Sequence, residues 1–410
     1  VANTNNTIKN AASVIAKAAA QELADNLKFC KTIDQADESD FDGKNGYKAG
    51  DTITISVPAR YVPQNTMDIT SSIQDNVEEK VSLTLDTIST IGMQFGTTEI
   101  ATEVGLKSTL KRYVIPAAQS IAQNVEQRFL LKATQGVYNV TGTAGSNAFT
   151  VADIQAGKVK LDQALAPMAD RNFLMNSASG AAAVIDRKGL FQSSEEISKQ
   201  YKEGYVGTAD SFNWLQNELI YTHTNGNDVT GVTVNATASE GATTLALTGV
   251  TATTGTIKKG SVFTVAGVFK VHPITKQAYS VLQQFVVTAD ATANGSGVAT
   301  VSVSPTIYAG SAGRQNVSAL PASTAAVTFV GTESVSYAQN LMYVPQAFRM
   351  ASVPLEMPEN AEFAAQETVD GITVAIIRDF DVLQRRWITR LDFLGGLAIV
   401  RPEWANRVTA

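Results

Sequence analysis

The chain has 410 residues, 44% of them hydrophobic and 17% charged, with a formal net charge of −6 at pH 7. That length allows two or three domains with real cores, and the acidic balance argues against the basic surface of a nucleic-acid reader. No apolar run approaches the roughly 18 residues of a membrane span, and the single cysteine, Cys30, excludes an intrachain disulfide and a multi-cysteine metal site.

The opening VANTNNTIKN lacks the basic and apolar regions of a signal peptide. A chain starting at Val1 is what removal of an initiator Met leaves, and with one cysteine the expectation is synthesis in a reducing cytoplasm. Ile8, Ala11, Ala12, Ile15, Ala19, Leu23 and Leu27 recur at helical spacing and predict a thin, alanine-rich helix over 8–29. Such a helix can lie on its own domain or reach out as an arm. In the acidic stretch after it, Glu38, Asp40, Asp42 and Gly43 imitate half a calcium loop. Ala49 stands where the bidentate Glu belongs, so the stretch reads as a solvated turn.

From Asp51 the period changes to two. Ile53, Ile55 and Val57 alternate with polar residues, and so do Val81, Leu83 and Leu85. The segment between them, with Pro58 and Pro63, is too long for a tight turn. A long two-stranded flap of this kind is marginal alone, so these six apolar residues are candidate contacts to a neighbouring copy. Leu106, Leu110 and Tyr113 then lead into a helix over Pro116–Gln135. Its apolar stripe is Ala118, Ile121, Ala122, Val125, Phe129 and Ala133. Pro116 suits the first helical position, Gly136 the C-terminal cap, and Arg128 and Lys132 the cation-favouring end.

Ala152–Leu165 and Ala178–Asp186 predict shorter helices with a buried strand at Phe173–Met175 between them, and Tyr201–Gly207 reads as a loop. Charge then thins. Between Val229 and Val330 only Glu240, Lys258, Lys259, Lys270, Lys276, Asp290 and Arg314 are charged. Six β-type runs (229–234, 243–247, 261–266, 284–289, 298–303, 325–330), parted by Gly-containing turns, predict a small barrel or sandwich inserted into a host domain. Gly371–Phe380 and Arg386–Pro402 predict adjacent strands. The alternation of helices and strands over 151–186 fits an α+β or α/β layer.

No P-loop, dinucleotide fingerprint, G-x-S-x-G or H-E-x-x-H is present. His223 and His272 read as structural or solvated, and the pairs Lys258–Lys259 and Arg385–Arg386 as solvated or ion-paired. No catalytic, cofactor-binding or metal-ligating residue is predicted, and no enzyme.

The order of parts resembles the major capsid (coat) proteins of tailed double-stranded DNA phages, with the Hong Kong 97-like fold. YKAGDTITISVP and EEKVSLTLDTISTIGMQF look like the strands of its extended loop, and KRYVIPAAQSIAQNVEQRFL like its spine helix. RNFLMNSASGAAAV and GTADSFNWLQNELIYTHTNG look like axial-domain segments, and DFLGGLAIVRPEWA like the closing strand. GSVFTVAGVFKV and LQQFVVTADATANGSGVATVSVSP are similar to the telokin-like insertion of the short-tailed Salmonella-phage type. QNLMYVPQAFRMASVPLEMP is similar to the segment on the C-terminal side of that insertion.

The resemblance implies an α+β fold, with an N-terminal arm over 1–49, an extended loop over 50–95 and a peripheral domain over 96–150 with its spine helix at 116–135. It further implies an axial domain over 151–228, an inserted β-barrel over 229–330, an axial return over 331–370 and closing strands over 371–410. It implies a structural subunit that assembles with itself, as pentamers and hexamers, into an icosahedral shell around the phage DNA, without sequence-specific binding. A scaffolding protein, a portal and assembly in the host cytoplasm come with it. An encapsulin-like compartment shell and a surface or tail adhesin are the alternatives. Known insertions carry a long charged loop that contacts a neighbouring capsomer; here Asn235–Thr248 is short, with only Glu240 charged, so that contact does not carry over.

Overall fold

Alanine at positions 16, 19, 20 and 24 leaves helix α1 (Ala11–Asn26) a flat, buried face that can approach a sheet closely. It lies against the strands Phe363–Val369 and Ile372–Asp381 of its own chain, so the thin helix is folded onto its own subunit. The computed structural model describes residues 11–35, 50–57, 61, 67, 70, 73, 79–96, 113–145, 150–186, 208–310, 312–358, 363–384 and 386–409. The half calcium loop at 38–49, the helical lead-in at 106–110 and the loop at 201–207 lie outside them. The chain forms two compact units, one of residues 1–55, 82–129 and 349–398, the other of 56–81, 130–348 and 399–410.

The first unit is built on a six-stranded sheet in the order Asp34–Gln35, Phe348–Ser352, Arg386–Ile399, Ile372–Asp381, Phe363–Val369, with Thr87–Gly96 also paired to Arg386–Ile399. That last strand corrects the sequence reading. Only Glu79–Thr84 pairs with Thr52–Val57 as the extended hairpin, whereas 87–96 runs antiparallel to 386–395 in the central sheet. The hairpin base is closed by the Gly50 and Leu85 amides, which donate to the Leu85 and Asp51 carbonyls at 2.9 Å each. A short helix α2 (Phe29–Thr32) comes after α1, past a break at Leu27–Lys28 that the periodicity does not reveal. The long helix α3 (Ile115–Gly136) runs one residue beyond its predicted range at each end, so Gly136 is its last helical residue and not the left-handed cap expected from the sequence.

The second unit holds a seven-stranded mixed sheet in the order Val140–Gly142, Ala405–Thr409, Ser336–Tyr343, Asn172–Met175, Phe212–Gln216, Thr208–Ala209, with Thr222–Thr224 also on Ser336–Tyr343. Helices α4 (Val151–Gln163) and α5 (Ser177–Asp186) help bury its Phe173, Trp214, Met342 and Val408. Thr150 and Asp153 form a reciprocal capping box that fixes the start of α4.

Threaded into this unit is a six-stranded antiparallel sheet, Thr233–Val234, Ala242–Thr248, Val298–Ile307, Ala278–Val287, Val262–Val271, Val327–Phe329. Its end strands meet: Val327 N–H donates to Val232 (2.9 Å) and Val234 N–H to Ala325 (3.0 Å), so the sheet closes on itself as a barrel. Closure removes the sheet edges, and Phe263, Phe285, Val301, Leu247 and Val317 fill the inside. The strand expected at 284–289 in fact spans 278–287; Gln, Ser and Tyr on its half-exposed first half hide it from a hydrophobicity reading.

Candidate functional site: the extended hairpin and the seat of the barrel

On α3, Ala118, Ile121, Val125, Phe129 and Ala133 are all fully buried. The Phe129 ring meets Phe393 edge-to-face with centroids 6.4 Å apart. The polar back is used too: Arg128 donates to the Ile88 carbonyl at 2.8 Å and Gln119 to Glu22 at 2.7 Å. Along the hairpin, burial is uneven rather than graded, with Val57 furthest from the base. Leu83 and Leu85 are fully buried within the chain and Val57 is buried, whereas Ile53, Ile55 and Val81 are half-buried. Leu85 lies just past its strand.

A second cluster, which the sequence reading did not assemble, joins the barrel to its host sheet. Tyr138 and Val140 of the host pack on Val262, Val286 and Val330 of the barrel. Around this apolar patch run four polar ties. Arg407, fully buried, donates its Nε to the Val137 carbonyl (2.7 Å), as does one terminal nitrogen. The other terminal nitrogen donates to the carbonyl of Gly260 (2.8 Å) and to Gln339 Oε1 (2.7 Å). Gly260 sits at φ +91°, a left-handed conformation that calls for glycine, beside the His223 ring.

His223 is sandwiched between Tyr221 OH and Ser261 Oγ, each 3.2 Å from a ring nitrogen. Burial, and secondarily the Arg407 charge, hold its pKa down to about 4, so the ring is neutral and structural, as the sequence suggested. Asn225 donates to the Val330 and Thr332 carbonyls at 2.9 and 3.0 Å, and the Tyr337 hydroxyl lies 3.0 Å from Val330 O. Burial raises the Tyr337 pKa to about 12.

The fourth tie is Gln284. Its amide pairs with the main chain of Val140 as a strand would, accepting from the N–H (2.8 Å) and donating to the carbonyl (3.0 Å). Val140–Gly142 is the edge strand of the host sheet, so this side chain occupies a position another strand could take. Lys160 of α4 completes the tie, donating to Gln284 Oε1 (2.6 Å) and to the Val140 carbonyl. Burial first, and Lys270 second, bring the Lys160 pKa down to about 7; burial brings Lys270 to about 8. A lone Gln or Lys carries no sequence signal for such a role.

Among the described residues no group of three or more His, Cys, Asp or Glu is placed to hold a metal ion, and no helix is long and apolar enough to cross a membrane. Buried Cys30 has its thiol pKa raised, chiefly by burial, and is poorly placed to react.

Comparison with known proteins decides what this architecture belongs to. The family model of the P22 coat protein (gene protein 5) matches residues 2–406. The chain belongs to the P22 coat protein family. As a member it is a phage capsid shell subunit with the α+β, Hong Kong 97-like capsid fold, and its inserted barrel sits within that fold. It is similar to a solved structure from Mycobacterium phage Che8 at 11% identity and TM-score 0.48, over 93% of this chain and 90% of that one. It is also similar to the capsid of Ralstonia phage GP4 at 9% identity and TM-score 0.45, over 92% and 87%. The CUS-3 coat protein I-domain is 27% identical over 25% of this chain and 96% of its own, with a TM-score of 0.19. No curated protein matches. The P22 coat protein family places the chain in the virion.

Proposed function

We propose that this subunit assembles as pentamers and hexamers of an icosahedral shell, and that the extended hairpin is where one copy takes hold of the next. The observation that carries this is the apolar surface left on the hairpin. Leu83, Leu85 and Val57 are buried within the chain, but Ile53, Ile55 and Val81 keep apolar surface half-uncovered on a two-stranded ribbon. Two strands have no second layer of their own, and a neighbouring copy is the natural cover. The segments proposed for each role are the N-terminal 1–49, the loop 50–95 less the strand Thr87–Gly96 that pairs in the central sheet, the peripheral 96–150, the axial 151–228 and 331–370, the barrel 229–330 and the closing 371–410. A scaffolding protein and a portal assist in the host cytoplasm, and the subunit has no enzymatic activity. The acidic net charge of −6 suits a wall that encloses DNA without gripping it. No observation favours an encapsulin-like compartment or an adhesin.

Ile55→Lys tests the proposal. A lysine at a half-exposed ribbon position leaves the monomer fold intact but puts a charge into the proposed contact. The expected outcome is a soluble subunit with unchanged melting that fails to form shells in negative stain. Normal shells from Ile55→Lys would contradict the proposal.

A further inference from the structure

Glu126 lies on α3 next to Val125 and is 1% exposed. A carboxylate in such a place is costly to bury unless its oxygens are well satisfied. Its two oxygens accept from the backbone N–H of Lys28 at 3.1 and 2.9 Å, and one of them from the N–H of Phe29 at 2.9 Å. These amides sit at the break between α1 and α2, at the start of α2. Hydrogen bonds to an ionised acceptor are the strong kind.

The other attachments of residues 11–35 are mostly non-directional. Leu23, Leu27, Phe29, Cys30 and Ile33 are buried beside the alanines of α1, which holds the segment down without fixing its path, and the strand Asp34–Gln35 pairs over two residues only. Gln119 to Glu22 adds one partly buried contact. A carboxylate that accepts from two defined amides specifies a position, which apolar burial does not.

We propose that Glu126 is a positioning residue for the shell subunit: it latches the N-terminal segment onto the spine helix of its own chain and so fixes the path that segment takes in the assembled shell. This rests on the shell-subunit reading but not on the hairpin contact. The geometry ties one side chain of the helix to the two amides at which the segment turns. Loss of the latch frees the segment selectively.

The test is hydrogen exchange and limited proteolysis on the full chain carrying Glu126→Gln and Glu126→Leu, with shell formation tracked by sedimentation. Gln keeps one good acceptor and Leu none. For Leu, exchange of the amides over 27–35 should accelerate at least about tenfold, the size of one lost charge-assisted bond. Gln should fall between Leu and wild type. The strands Ile372–Asp381 and Arg386–Ile399 should keep their protection, and shells should form poorly or irregularly although the subunit stays folded. Unchanged exchange over 27–35 in both variants would overturn the proposal. So would acceleration spread evenly over the first unit, which marks Glu126 as ordinary core, or normal shells from a variant whose segment is released. If Leu does not fold, the graded response of Gln, local or global, decides alone. Failure of the hairpin variants to block assembly would leave this result untouched.

Discussion

Phe129 fills the space in front of Phe393 and is fully buried. Phe129→Ala should therefore cost about 3–5 kcal/mol, whereas Gln123→Ala on the exposed back of the same helix should cost under about 0.5 kcal/mol; urea denaturation of the two variants measures both. His223 gives a pH-dependent prediction. Its pKa of about 4 in the folded protein lies below the unfolded value of 6.5, so between those limits the unfolded chain binds the extra proton. Stability is unaffected above about pH 6.5 and falls as pH drops toward 4, by roughly 3 kcal/mol from this residue. His223→Gln, which cannot take the proton, should flatten that part of the curve; equal pH slopes for wild type and variant would refute the assignment. Lys160 works in the same direction over a higher range. Its pKa of about 7 against 10.5 unfolded means stability should climb as pH rises from 7 toward 10.5. Lys160→Met should lose that climb in denaturation series at pH 7 and pH 10.

At the scale of elements, periodic segments were legible and long-range pairings were not. The helix over 116–135 could be read because its apolar residues return every three or four positions and its ends carry Pro116 and Gly136. The strand Thr87–Gly96 was absorbed into the hairpin because nothing local marks Leu85–Asp86 as a corner. Its partner, Arg386–Ile399, lies far away in sequence. The barrel was visible as a change in composition, since closure needs only short apolar strands and turns, but its seat was not. Lys160 reaches Gln284 over 124 residues, Gln284 reaches Val140 over 144, and Arg407 reaches Val137 over 270. If Gln284 does occupy the host edge, Gln284→Ala should leave the barrel core protected from hydrogen exchange while Val140–Gly142 exchanges faster. Because its strands pair with one another and its core is its own, the piece 229–330 expressed alone should give dispersed amide spectra and cooperative melting. A disordered spectrum would show that the seat is needed for folding as well as for placement.

For the whole molecule, the sequence carried its identity in the order of parts rather than in any site, because a shell subunit acts through surfaces and needs no reactive group. Alanines in α1, alternation in the hairpin and a charge-poor barrel each have an ordinary explanation; their succession does not, and the family match over residues 2–406 agrees with it. What remained hidden is what holds the parts: Glu126 beneath Lys28, and Arg407 beneath Gly260. Buried polar ties of this kind are set by neighbours in space. The central claim is that assembly resides in the extended hairpin while folding does not. Sedimentation velocity of a subunit in which Pro63–Gln74 is replaced by Asn-Gly tests it most directly, since that turn preserves the hairpin but shortens its reach. The expected result is a folded, soluble subunit sedimenting as monomers or small oligomers, with no closed shells. Normal shells, or a globally unfolded chain, would contradict it.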